Sequence, residues 1–379
     1  MRIGLSLKLL CFLLVGFSTL STSIDAEEWN EKLLINGFFT FDLTQSDDDI
    51  TLISNSDQAL TYQENKPSLR NSLIGSQLSY QISDNLEAGL QAKLYVNSAD
   101  DITGTLDWSY LSYDLGDDLR LRAGKFQIPF MQGIELRNIS YSRLWARPLI
   151  PSSGAGGFNE FVGAELLKHV SVGSANWDIQ LSAGKAKHGL SAIDNKNIAL
   201  VSVRYQKDNF WLRGALLNAQ YRFVTRDGRV LTDSGDALMA SIETEYSNDN
   251  FVINAGYSTS RTDISPNDTA YYLSLGYYLG DVIPFVALSR MNQHFDLVEL
   301  PAPTLAQNPP RRPPQGPPPA FPLGDFDVFS EALGLKYNFS AQYALKVQLE
   351  HVKSKDDAGI RNGSSSNGNS LSVVFEGVF

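Results

Sequence analysis

From Lys32 onward, apolar and polar positions alternate at period two in one segment after another. Leu86, Ala88, Leu90, Ala92, Leu94 and Val96 interleave with Glu87, Gln91, Lys93 and Tyr95. Trp177, Ile179, Leu181 and Ala183 interleave with Asp178, Gln180 and Ser182, and Tyr343, Leu345, Val347 and Leu349 with Lys346, Gln348 and Glu350. Successive side chains of a strand point to opposite faces, so each segment predicts a strand with one greasy side and one wet side. No amphipathic helical period lasts more than a turn or two. Strands are expected near 32–43, 68–82, 86–97, 106–115, 119–126, 160–171, 176–185, 197–206, 210–221, 236–247, 251–261, 270–279, 282–292, 326–339, 342–354 and 369–379, about sixteen, give or take two. In the last of these Leu371, Val373, Phe375 and Phe379 share a face, with Ser370, Ser372 and Glu376 on the other. A strand that uses its final residue, where chains usually fray, is expected to be held in a sheet.

The breaks between segments alternate in length. Short turns fall at Ser83-Asp84-Asn85, Gly116-Asp117-Asp118, Gly173-Ser174-Ala175, Lys207-Asp208-Asn209, Asn248-Asp249-Asn250, Gly280-Asp281 and Ser340-Ala341. Longer loops lie between them at 44–67, 98–105, 127–159, 186–196, 222–235, 262–269, 293–325 and 355–368. A soluble sandwich has no reason to keep its tight turns on alternate connections; a transmembrane antiparallel β-barrel does, with short turns on one rim and long loops on the other. The expected fold class is therefore all-β, a closed transmembrane barrel with both chain ends on the short-turn rim. The wet faces would carry Lys93, Arg120, Arg122, Arg204, Arg213, Lys336 and Lys346 against Glu87, Glu165, Asp178, Glu243, Glu245, Glu350 and Glu376, a nearly balanced and hydrated lumen. Trp108, Tyr110, Tyr113, Phe210, Trp211, Tyr246, Phe251, Tyr271, Tyr272, Tyr277, Tyr278, Tyr337 and Phe339 cluster near segment ends, as interfacial girdles do. Near Arg70 and Trp108 both parities fit.

Composition narrows the compartment. Met1, Arg2 and Lys8 precede the apolar run Leu9–Phe17, then small and polar residues to Ala26, which predicts a secretory signal peptide over 1–26, with cleavage after Ala26 or close by. The apolar run is too short to span a membrane. Residues 27–379 then form a single barrel unit of about 350 residues. Cys11 is the sole cysteine and leaves with the signal, so the mature chain has no disulfide or thiolate site. The net charge of −11 argues against nucleic acid as a partner. His169, His188, His294 and His351 show no metal-ligand spacing, and neither a G-x-S-x-G elbow nor a phosphate loop occurs. No enzyme, metal or cofactor is expected.

The closing strand that ends in Phe379 resembles that of Gram-negative outer-membrane β-barrel proteins, in which such a residue serves assembly. Gly124-Lys125-Phe126-Gln127-Ile128-Pro129-Phe130 resembles the porin superfamily that includes the phosphate-selective porins O and P, and the long loop it opens, 127–159, resembles the inward-folded third extracellular loop of porins. The resemblance implies an outer-membrane channel in a Gram-negative cell, surrounded by lipid and trimeric, that passes ions and small hydrophilic solutes. Arg137, Arg143 and Arg147 against Glu135 in this loop, with Arg120 and Arg122 on the wall, are the candidate selectivity set, giving a weak anion preference. The alternative is that these arginines pair with loop acids and hold the loop to the wall. Tyr141 and Trp145 are candidate solute contacts. A channel specific for carbohydrates or acidic nutrients, or a surface-adhesion barrel, stays open as another reading. For adhesion the feature is Pro301–Pro322, which holds ten of the sixteen prolines and would offer an extended strip to an external partner.

Overall fold

The computed structural model describes residues 32–53, 59–97, 99–149, 160–186, 193–223, 235–262, 267–294, 326–356 and 367–379. The signal segment, the tail of the third loop and the proline-rich loop lie outside the described residues. Among the described residues eighteen strands occur in chain order: β1 Leu33–Ser46, β2 Ile50–Ile53, β3 Ala59–Tyr62, β4 Leu73–Ser83, β5 Leu86–Val96, β6 Ile102–Gly116, β7 Leu119–Gln127, β8 Glu160–Val172, β9 Ala175–Ala186, β10 Ile193–Lys207, β11 Phe210–Phe223, β12 Gly235–Ser247, β13 Phe251–Thr262, β14 Asn267–Tyr277, β15 Val282–His294, β16 Phe326–Asn338, β17 Tyr343–Asp356 and β18 Asn367–Val378. Sixteen of them close into one antiparallel barrel in which each strand pairs with its chain neighbours and β1 pairs with β18. β2 and β3 form a separate hairpin inside the first long loop, where the segment pattern predicts no strand.

The short turns reach their geometry through left-handed residues: Gly116, Asp117 and Asp118 between β6 and β7, Gly173 before β9, Asp208 before β11 and Gly280 before β15. Tight hairpins need positive φ, which Gly and Asp tolerate best. Period two then sorts the strands. Leu94, Leu181, Leu216, Leu273, Leu333 and Leu349 stand exposed on the outside, whereas all fourteen lumen charges expected from the alternation face inward. An exposed apolar band around a closed sheet, with no open edge, is the surface a bilayer requires.

Aromatics are split between the two faces, which corrects the girdle assignment. Phe210, Tyr246, Tyr271, Tyr277, Tyr337 and Phe339 lie outside, but Trp108, Tyr110, Trp211 and Tyr272 point into the lumen. Phe210-Trp211 and Tyr271-Tyr272 are doublets, so period two must send one ring of each to either side. Trp108 is inward because β6 carries a bulge. Gln91 pairs with Trp108 and Ala92 with Leu106, which leaves Asp107 as the extra residue. Asp107 and Trp108 therefore both face the lumen, the reason that neither parity is decisive there.

The closing seam is tight at its short-turn end. The Gly37 amide donates to the Phe379 carbonyl at 2.6 Å and the Phe379 amide to Gly37 at 2.9 Å. The Phe379 ring lies over Gly37, where an added Cβ would come within 2.1 Å of it. Deleting Phe379 is expected to lower the temperature at which the folded form on a gel converts to the unfolded one, since two seam bonds of ~1 kcal/mol each and the ring contact go together. Gly37→Val, which moves only the ring, should do less. Equal effects would mean that the two backbone bonds contribute nothing.

Candidate functional site

The third long loop folds into the barrel. Ile128, Phe130, Met131, Ile134, Leu144, Trp145 and Leu149 are buried and form one apolar cluster with the inward residues Leu200, Leu217, Met239, Tyr272, Ile283 and Phe285 of the far wall. Each buried side chain of this size stabilises by roughly 1.5–3 kcal/mol, enough to hold a loop that exposed the same residues to water poorly. Within it lie a short helix, α1 (Gln132–Glu135), and a 3-10 turn, Ser140–Ser142.

Polar ties fix the loop to three parts of the wall. On one side Arg213 of β11 donates to the Pro129 carbonyl at 2.5 Å and pairs with Glu135 at 2.5 Å. Beside it Ser241 of β12 donates to the Phe130 carbonyl, and Glu243 accepts from the Gln132 amide at 2.6 Å and from the Tyr272 hydroxyl at 3.0 Å. In the middle Lys93 of β5 donates to the Asn138 side chain at 2.7 Å, and the Asn138 amide donates to Asp107 at 3.0 Å. On the opposite side Lys346 of β17 donates to the carbonyls of Ser140 and Trp145 and pairs with Glu376 of β18 at 2.8 Å. Lys336 of β16 donates to the Tyr141 carbonyl at 2.6 Å, and Gln348 accepts the Ala146 amide at 2.8 Å.

Arg147 ends this series at the seam of the barrel. Its guanidinium, 3% exposed, pairs with Glu350 at 2.5 Å and donates to Thr44 on β1 and to Ser370 and Ser372 on β18. Tyr62, from the β2–β3 hairpin, lies over it at 5.6 Å. Burial opposes the charge, but Glu350, Tyr62 and Asp42 outweigh it and hold the guanidinium above its usual pKa. The hairpin also brings Ile50 and Tyr62 against the inward Val328 and Val352.

The candidate set is thus divided. Glu135 and Arg147 are engaged with the wall, and the partners of these loop residues are the wall residues Arg213 and Glu350, not the loop acids expected as the alternative partners. Arg137 is buried. Arg143 donates to the Arg137 carbonyl at 3.1 Å and borders a recess of about 290 Å³ together with Tyr141, Trp145, Tyr272, Tyr278 and Lys336. Burial lowers its guanidinium to about 10, against the pull of Glu376. The Tyr141 ring carries the Lys336 ammonium at 4.4 Å, and Trp145 packs edge-on against Tyr272 at 6.1 Å.

Arg120 and Arg122 lie elsewhere, on β7. Arg122 pairs with Glu165 at 2.5 Å and lies beside the stacked rings of Tyr110 and Phe126, 5.0 and 5.3 Å from their centres. Arg120 is exposed, and both border a second recess of about 400 Å³ on the short-turn side of the loop. Lys168, Arg204 and Arg213 add to its basic lining. The alternation predicts Arg204 and Arg213 on the wet face but does not join them to β7, because two strands separate β10 from β7 and three separate β11 from it.

No protein-family model matches the sequence, and no curated protein is similar to it in sequence. Solved structures are similar in shape. The outer membrane channel DcaP of Acinetobacter baumannii superposes with a TM-score of 0.58 at 11% identity, covering 92% of this chain and 97% of that one. An anion-selective porin from Comamonas acidovorans gives 0.56 at 12% identity, over 92% and 99% of the two chains. OmpT of Vibrio cholerae in its trimer form gives 0.55 at 9%, over 92% and 99%. The fold is that of the outer-membrane porins. This porin fold has its barrel closed by β1 and β18 and its third long loop turned inward, as the local Gly124–Phe130 resemblance leads one to expect.

Proposed function

We propose that the protein is a diffusion channel of the Gram-negative outer membrane, trimeric, that passes ions and small hydrophilic solutes with a weak preference for anions. The observation that carries this reading is a charged interior behind an apolar exterior, crossed by a loop whose recesses are bordered by guanidinium groups. Porins and channels among the similar structures, one of them described as a trimer, support the channel and its assembly. Arg120, Arg122 and Arg143 border the recesses and are the selectivity residues in this reading; Glu135, Arg137 and Arg147 position the loop. Fixed positive groups at a narrow passage concentrate anions and repel cations.

Recording in a planar bilayer under a KCl gradient tests it. Conductance steps in groups of three and a reversal potential on the chloride side are expected, and Arg120→Glu should move that potential toward potassium. A cation-selective wild type would overturn the preference, and a folded barrel without conductance would overturn the channel.

A further inference from the structure

Inward-facing His169, Asp178, Arg204, Arg213 and Glu243 are cross-strand neighbours on β8 to β12, one lateral row of the wall. Four of the five are engaged. His169 and Asp178 meet at 2.7 Å, Arg213 is taken by Glu135, and Glu243 holds the start of α1 and the Tyr272 hydroxyl. Arg204 is the unmatched member. Among the described residues it makes neither ion pair nor hydrogen bond, and its Nε is buried without a partner. The guanidinium lies over the Trp211 ring, 4.8 Å from its centre, and feels the charge of Glu245. Stacking orients the group while leaving its N–H edge unspent.

Arg120, exposed and equally without an ion pair among the described residues, borders the same 400 Å³ recess. Between the two arginines the wall offers Leu167 and Gln180, an apolar patch beside an amide. Of the acids bordering the recess, Asp178 meets His169 and Glu135 pairs with Arg213, while Asp114, bonded to the Gly116 amide, sits opposite Arg120 on the neighbouring strand without an ion pair to it, and Asp118 lies at the rim. Two unspent planar forks on either side of a small apolar floor suit a solute that carries carboxylates on a short carbon frame.

We infer that this recess, on the short-turn side of the third loop, is a binding subsite for small organic polycarboxylates, with Arg204 and Arg120 as its fixed cations. The inference deepens the channel reading and rests on it only for the electrical readout. A solute held there would obstruct ion flow when it arrives from the short-turn side, and would have to pass the loop from the other.

Citrate is the probe. Added to one chamber at a time in 0.1 M KCl, it is expected to halve the wild-type current at concentrations about tenfold lower on one side than on the other. Arg204→Gln and Arg120→Gln should each weaken the block from the sensitive side about tenfold, and Arg204→Lys, which keeps the charge without the fork, should fall between. Calorimetric titration of citrate into the detergent-solubilised protein reads binding without conduction, with heat-modifiable migration as the check that each variant is folded. Block that is equal from both sides, or citrate heat that Arg204→Gln leaves unchanged, overturns the subsite. Citrate binding that depends on Arg204 in a protein that does not conduct would keep the subsite and sink the channel.

Discussion

Arg147→Met is expected to lower the stability of the folded barrel by ~3–5 kcal/mol, the usual cost of removing one partner from a buried ion pair. The change leaves Glu350, 8% exposed, without its cation, and it removes the donor shared by Thr44 and Ser372 across the β1–β18 seam. These two hydroxyls also bond to each other at 2.7 Å, so the seam stays closed but loses the group that ties it to the loop. Asp42 keeps its bonds to Thr44 and Asn71 and is hurt less. The measurement is the temperature or urea concentration at which the folded band disappears. Adding Glu350→Leu to Arg147→Met should return part of the loss, because a missing pair costs less than a lone buried charge. An unchanged midpoint for Arg147→Met would mean that the clamp across the seam contributes nothing.

Lys346→Met is expected to act with similar force through the other anchor. Lys346 and Glu376 are both fully buried, and the ammonium also serves the carbonyls of Ser140 and Trp145 in the loop. Losing it strands a carboxylate on β18 and two loop carbonyls at once, again ~3–5 kcal/mol. Lys336, 3.9 Å from the same carboxylate, is positioned to take up part of the charge, alongside Arg143, which also feels Glu376. Lys336→Met should therefore be mild alone, and the double variant should lose more than the two single losses together. Strict additivity in this cycle, read from unfolding midpoints, would show that the two lysines do not share Glu376.

Much of the architecture was legible because period two is unforgiving: one step of register exchanges the faces of a whole strand. The alternation in the strand from Leu86 to Val96 puts Lys93 and Gln91 in the lumen with no further information, the alternation of turn lengths points to a barrel, and the count of periodic segments, about sixteen, matches its strands. Three kinds of information were not in the local pattern. The bulge at Asp107 inserts one residue and can be seen only against the partner strand. Aromatic doublets such as Phe210-Trp211 occupy both faces, so their position near a segment end does not assign either ring. The loop anchors join residues as far apart as Arg147 and Ser372, and no spacing rule links them. Arg147 looks like any other loop arginine in the sequence; burial against Glu350 and the seam distinguishes it.

The third loop is tied to β11 and β12 at its start, to β5 and β6 through Asn138, and to β16, β17, β18 and β1 at its far side. A strap secured at three compass points behaves as masonry and not as a door. A solute crossing beside it would meet walls that keep their shape, so the barrier it feels is that of shedding its own water. Speed and choice in such a passage are then properties of the traveller's hydration, set against a fixed pattern of charge.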